Sequence, residues 1–273
     1  MSDIRRANGP HPFGYTEISA MDGIHGDMGM DFGVLRLAAG QTYTDDRPLE
    51  KAYLLVYGKI AITAGEDEKI LCRDNCFDAG PYVLHVDRNT RISVRGIGDD
   101  SEVCAVRTDN EASFPAKWYD PKDTQDEYRG AGLMGETSTR IVRTVFDKRN
   151  APLSNLVLGE VIGMPGKWSS YPPHHHPQPE IYYYKSNPEN GFAYAELGED
   201  VVKVHTNDTV FIHPGLTHPH CTPPGYALWY LWVIRHLDGA PYITPDFVPE
   251  HAWVQEKDAK YWPIAHSCER KGD

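Results

Sequence analysis

The stretch YPPHHHPQPEIYYYKS (171–186) sets three consecutive histidines and a Pro-Gln-Pro link before a glutamate that heads an aromatic run. On extended backbone His174 and His176 share a face, and Glu180, at even spacing, returns to that face beyond the Pro-Gln-Pro bend. His175 is expected to point the other way. Two imidazoles and a carboxylate on one face make a partial shell for a divalent ion of the Zn, Mn or Fe type. The same phase carries Tyr182 and Tyr184 inward and turns Tyr183 outward. Aromatic residues of this density belong on a strand, so the stretch reads as metal ligands leading into a strand.

Strand-like segments dominate on either side: 31–40, 51–65, 91–96 and 101–109, then 140–146, 155–163, 180–186, 191–197, 200–205, 208–213 and 226–234, all rich in β-branched and aromatic residues between Gly or Asp boundaries. No segment sustains a 3.6-residue apolar period for three turns, and 24 Gly and 21 Pro suit many short strands joined by turns. The polar stretch 110–140 reads as a connection. Gly40 and Glu50 before one long strand are echoed by Gly166 and Glu180 before another. This suggests two β-barrels, residues 1–125 without metal ligands and residues 126–273 with them.

The second half gathers seven of the chain's 13 histidines between residues 174 and 220. DTVFIHPGLTHPH (208–220) reads as a strand, a Pro-Gly turn and then His218, which the turn sends back across the barrel as a fourth ligand. Together, the two motifs resemble those of the cupin superfamily, HxHxxxE followed by PGxxH. The resemblance implies His174, His176, Glu180 and His218 as the metal ligands and a fold of two tandem jelly-roll barrels.

The segments GETSTRIVRTVF, LVLGEVIGMPGKWSSYPPHHH, EIYYYKSNPENGFAYAEL, PGYALWYLWV and PEHAWVQE resemble, in order, the 5-deoxy-glucuronate isomerase family of bacterial myo-inositol catabolism. The likeness is strong over about 135–255 and collinear before that. It implies an all-β bicupin that interconverts an aldose uronate and a ketose acid with a divalent metal, zinc first and Mn or Fe next. Two features depart from the family pattern. The link between His176 and Glu180 is only Pro-Gln-Pro, which bears on substrate fit, and the second motif reads HPGLTHPH, which leaves His218 in place. A sister activity on 4-deoxy-5-keto-uronates from pectin, an Fe(II) oxygenase on the same ligands, and a non-catalytic sugar-binding barrel are the alternatives.

Candidate catalytic residues follow from phase and charge. Tyr182 and Tyr184 face inward, and Tyr230 shares a face with Trp232 on a later strand whose phase relative to the site stays open. A substrate carboxylate calls for a cation, for which Arg143, Lys185 and Arg235 are the candidates. The net charge of −12 argues against sequence-independent nucleic-acid binding and leaves a small anionic sugar acid dependent on a local cation. Five dispersed cysteines read as reduced thiols. The N-terminus has no apolar signal core, and no run approaches the roughly 18 apolar residues of a membrane span. A cytoplasmic protein is expected, and edge strands leave room for a homo-oligomer.

Overall fold

In the computed structural model, which describes residues 3–262, all strand pairing is antiparallel, and helix among these residues is limited to four short 3-10 segments. The earlier set of strands is organised by Glu50–Ala64. Its first part pairs with Ser101–Thr108 and Tyr82–Val86, and its second with Asp67–Arg73 and Ile92–Gly96. Between these parts the register slips at Leu55/Tyr57, and Gly58 takes φ 101° with Ser101 packed against it. A side chain there would collide with Ser101, so glycine is what lets one strand bend from one sheet into another.

The later set is a seven-stranded sheet in the order Ile4–Arg5, Thr209–Ile212, Glu180–Asn187, Ala227–Arg235, Leu156–Gly163, Arg140–Phe146, Glu127–Arg129. A four-stranded sheet of Trp168–Ser169, His220–Cys221, Phe192–Leu197 and Asp200–His205 accompanies it. The stretch 110–140 is more than a connection. Lys117–Tyr119 extends the earlier sheet beside Tyr82–Val86, and Glu127–Arg129 edges the later one beside Arg140–Phe146. Strands of three residues are too short to show an alternation in sequence. Ile4–Arg5 likewise crosses to pair with Thr209 and Val210.

Alternation along the strands produces three cores. One, with Tyr53, Leu55, Ile60 and Val94, fills the earlier barrel; a second, with Val142, Tyr182, Tyr184 and Trp232, lies inside the later one. The third is the seam between them, where Phe32, Leu54 and Val106 meet Val145, Tyr183, Trp229 and Val233. Inside the earlier barrel the buried Arg107 guanidinium pairs with Asp45 and bonds the hydroxyls of Tyr15, Tyr43 and Tyr53. Glu50, the echo of Glu180, faces the seam instead, against His85 Nε2 at 2.7 Å and the Asn110 side chain at 2.7 Å.

A buried ion cluster clamps the seam. Arg73 donates to both oxygens of Glu160 (2.8 and 2.9 Å), while Arg143 and the Trp229 indole donate to the same carboxylate at 2.9 and 3.0 Å. Arg73 and Glu160 are both wholly buried. Removing the carboxylate strands a buried guanidinium, so Glu160→Ala is expected to lower unfolding free energy by about 3–5 kcal/mol. Urea titration checks this; an unchanged midpoint would show that the clamp adds nothing.

Candidate metal centre and its cavity

Three short pieces of chain bring the histidine motifs together. His174–His175 is a two-residue strand paired with Asp246–Phe247, Glu180 opens the central strand Glu180–Asn187, and His218 follows the turn after Thr209–Ile212. Gly215 makes that turn at φ 84°, and its N–H donates to the His176 carbonyl at 2.9 Å, tying one motif to the other. The ligand atoms of His176, Glu180 and His218, all buried, lie within 4.8 Å of one another.

The tautomers follow from the outer hydrogen bonds. Nδ1 of His174, His176 and His218 lies 2.9, 2.9 and 3.0 Å from the carbonyl oxygens of Pro172, Gln178 and Leu216. A carbonyl only accepts, so each Nδ1 carries a proton and each Nε2 is the atom left to turn toward the cluster. Two of those nitrogens face Glu180 Oε2, from His176 at 3.1 Å and His218 at 3.3 Å. His218 Nε2 is buried without a hydrogen-bond partner among the described residues. Burial pushes His218 down to about 3 and His174 to about 4, which keeps both rings neutral. Two imidazole nitrogens and a carboxylate converging in a buried site suit a divalent cation. The His174 ring stands 4.7 Å from that of His218 and borders the same cavity, although outside the tight three-atom group. His175 is not among the lining residues.

The cavity holds about 670 Å³, room for a small sugar acid. Tyr182 lines it, and its hydroxyl lies 3.4 Å from Ser170 Oγ, which is 3.1 Å from the Tyr230 hydroxyl. Ser170 holds φ 51°, an uncommon conformation for serine. Burial, and next the Glu180 carboxylate, hold the Tyr182 hydroxyl well above the usual phenol range. Tyr184 shares the inward phase but does not reach the cavity. Its hydroxyl is committed to His220 Nε2 at 2.7 Å, and His220 Nδ1 donates to the His218 carbonyl at 2.9 Å. Tyr230 also sits behind the wall, buried, with its ring 4.8 Å from that of Tyr182. Trp232 lines the cavity and packs where a Cβ on Gly159 would stand, 2.6 Å from its ring atoms, so position 159 must lack a side chain.

The cations expected for a substrate carboxylate need correction. Arg143 is held by Glu160, Asp126 and the Ala79 carbonyl; Arg235 by Thr108, Asp109 and the His236 carbonyl; Lys185 by Glu102 and Asn207. None of the three lines the cavity. One parity explains all three: on strands Arg140–Phe146, Glu180–Asn187 and Ala227–Arg235, residues such as Val145, Tyr183 and Trp229 face the seam, and Arg143, Lys185 and Arg235 share their phase. Opposite parity puts Arg140, Val142 and Thr144 on the cavity side. Arg140 was missed because both arginines of TRIVRTVF look alike until the strand's neighbours fix which face is inside.

The KduI/IolB family pattern matches residues 14–254. The chain is 32% identical to a 5-deoxy-glucuronate isomerase of Geobacillus kaustophilus over 246 residues, 82% of this chain and 85% of that one. Its fold is similar to that of an IolB-like protein from Salmonella typhimurium LT2 (TM-score 0.81, 22% identity, 93% of this chain and 99% of that one). It is also similar to a cupin 2 conserved barrel domain protein from Leptotrichia buccalis (TM-score 0.52, 11% identity, 84% and 92%). The all-β fold of two cupin-type barrels agrees with the sequence expectation. No helix among the described residues is long and apolar enough to cross a membrane.

Proposed function

The chain belongs to the KduI/IolB family, and on that footing we propose that it is a metal-dependent aldose–ketose isomerase converting 5-deoxy-D-glucuronate to 5-dehydro-2-deoxy-D-gluconate in cytoplasmic myo-inositol catabolism. The observation that carries the reading is the convergence of the His176, Glu180 and His218 ligand atoms on a sugar-sized cavity. The name of the Geobacillus relative supports the substrate.

Substrate and product are isomers: the C2 proton goes to C1 and the O2 proton to O1, so no oxidant or reductant is consumed. A divalent ion, zinc in our assignment, would be held by His174, His176, Glu180 and His218 and would act as a Lewis acid on the carbonyl and neighbouring hydroxyl. Tyr182, protonated at neutral pH, donates a hydrogen bond to the oxygen on which charge develops. Ser170 and Tyr230 behind it hold its hydroxyl in place. Two carboxylates line the cavity among the described residues, and Arg149 engages Asp147. Glu180 and Tyr182 are therefore wall groups that can exchange protons with the sugar carbons and oxygens. Val142, Val157, Val161 and Trp232 supply an apolar part of the wall that limits water there.

Parallel kinetics on 5-deoxy-D-glucuronate and the pectin-derived 4-deoxy-5-keto-uronate test the reading. A kcat/KM at least about a hundredfold higher for the former is expected. The reverse preference would assign the pectin reaction, and oxygen uptake with Fe(II) would assign an oxygenase.

A further inference from the structure

Four arginines are buried among the described residues: Arg73, Arg107, Arg140 and Arg143. Three rest against a carboxylate, namely Glu160 for Arg73, Asp45 for Arg107, and Asp126 with Glu160 for Arg143. Arg140 is the exception. Its side chain is about nine-tenths buried, it lines the cavity beside His174 and Tyr182, and its one hydrogen bond among the described residues runs from Nη1 to the Ser138 carbonyl at 3.0 Å. A guanidinium has five N–H donors in a rigid fork, so most of this one's capacity is unspent. A buried cation without a counter-charge is costly, and a fold that keeps one in a ligand-sized cavity has a place for an anion.

Other charges of the cavity do not supply an anion for Arg140. Glu180 is turned to His176 and His218, and Asp147 to Arg149. Arg129 at the rim is already paired with Glu127, and Lys148 is spent on the carbonyls of Pro152 and Ser154. The open-chain substrate carries its carboxylate at C6, while the chemistry occurs at C1 and C2. An anion-binding group distinct from the donor cluster but in the same cavity is therefore what such a molecule requires.

We propose that Arg140 receives the substrate carboxylate through its unspent guanidinium edge and so makes the cavity selective for sugar acids over uncharged sugars. The assignment rests on the isomerase reading for the identity of the substrate, but its anion selectivity can be measured without turnover. Calorimetric titration of the metal-loaded protein compares D-glucuronate with D-glucuronamide, which differs in charge and little in size. The wild type is expected to bind the acid about a hundredfold more tightly than the amide. Arg140→Met loses that preference while amide affinity and metal content hold, and Arg140→Lys, which lacks the fork, keeps only part of it.

Equal affinity for acid and amide in the wild type, or no binding of the acid, overturns the proposal. So does undiminished acid preference in Arg140→Lys or Arg140→Met. The wild-type comparison and the lysine variant decide the matter should the methionine variant fail to fold. A merely structural Arg140 would weaken both ligands alike. Acid selectivity traced to Arg140 without turnover of 5-deoxy-D-glucuronate would refute the isomerase reading alone, whereas turnover without that selectivity would refute only the role of Arg140.

Discussion

His176→Ala protein is expected to be purified without its divalent ion and to isomerise 5-deoxy-D-glucuronate at least about a thousandfold more slowly than the parent chain. His176 Nε2 lies 3.1 Å from Glu180 Oε2, its Nδ1 is fixed by the Gln178 carbonyl, and its own carbonyl accepts from Gly215 in the second motif. Losing the imidazole therefore removes a donor from the middle of the cluster and leaves the backbone tie between the motifs in place. The fold should survive, because the seam and barrel cores do not depend on this ring. Elemental analysis and steady-state kinetics on the same preparation give the answer. Full metal content with unchanged turnover would remove His176 from the centre.

Tyr182→Phe is expected to lower kcat about 10²–10³-fold while leaving KM and metal content close to those of the wild type. The ring stays and keeps its packing against Tyr230 and His220, whereas the hydroxyl that borders the cavity is lost. Tyr184→Phe supplies the contrast. Its hydroxyl serves His220, which in turn bonds the His218 carbonyl, so its loss should show as about 1–3 kcal/mol of stability rather than as a selective fall in kcat. Equal kinetic effects from the two variants would show that Tyr182 acts by packing alone.

The alternation EIYYYK reveals both which strand carries Glu180 and that Tyr183 parts company with Tyr182 and Tyr184. The structure places Tyr183 in the seam against Glu102 and Asn207. Less is legible where the deciding partner is distant. Glu160 looks like an acid stranded in the strand LVLGEVIG, and its partners explain it only once the fold is known: Arg73, 87 residues away, with Arg143 and Trp229. Tyr184 has the right phase for the cavity, yet its hydroxyl is captured by His220, which the fold buries completely. Arg140 and Arg143 lie three residues apart on one strand and so point to opposite faces. Choosing between them requires knowing that Val145 packs in the seam and Val142 in the barrel. Period-two patterning separates two faces but does not say which is inside until sheet neighbours are assigned.

The most direct test of the account is an NMR time course of 5-deoxy-D-glucuronate with the protein as purified, after chelation, and after reloading with one divalent ion. Conversion to 5-dehydro-2-deoxy-D-gluconate is expected to disappear on chelation and to return on reloading. Conversion that continues undiminished in the stripped protein, or none in the loaded one, would contradict it.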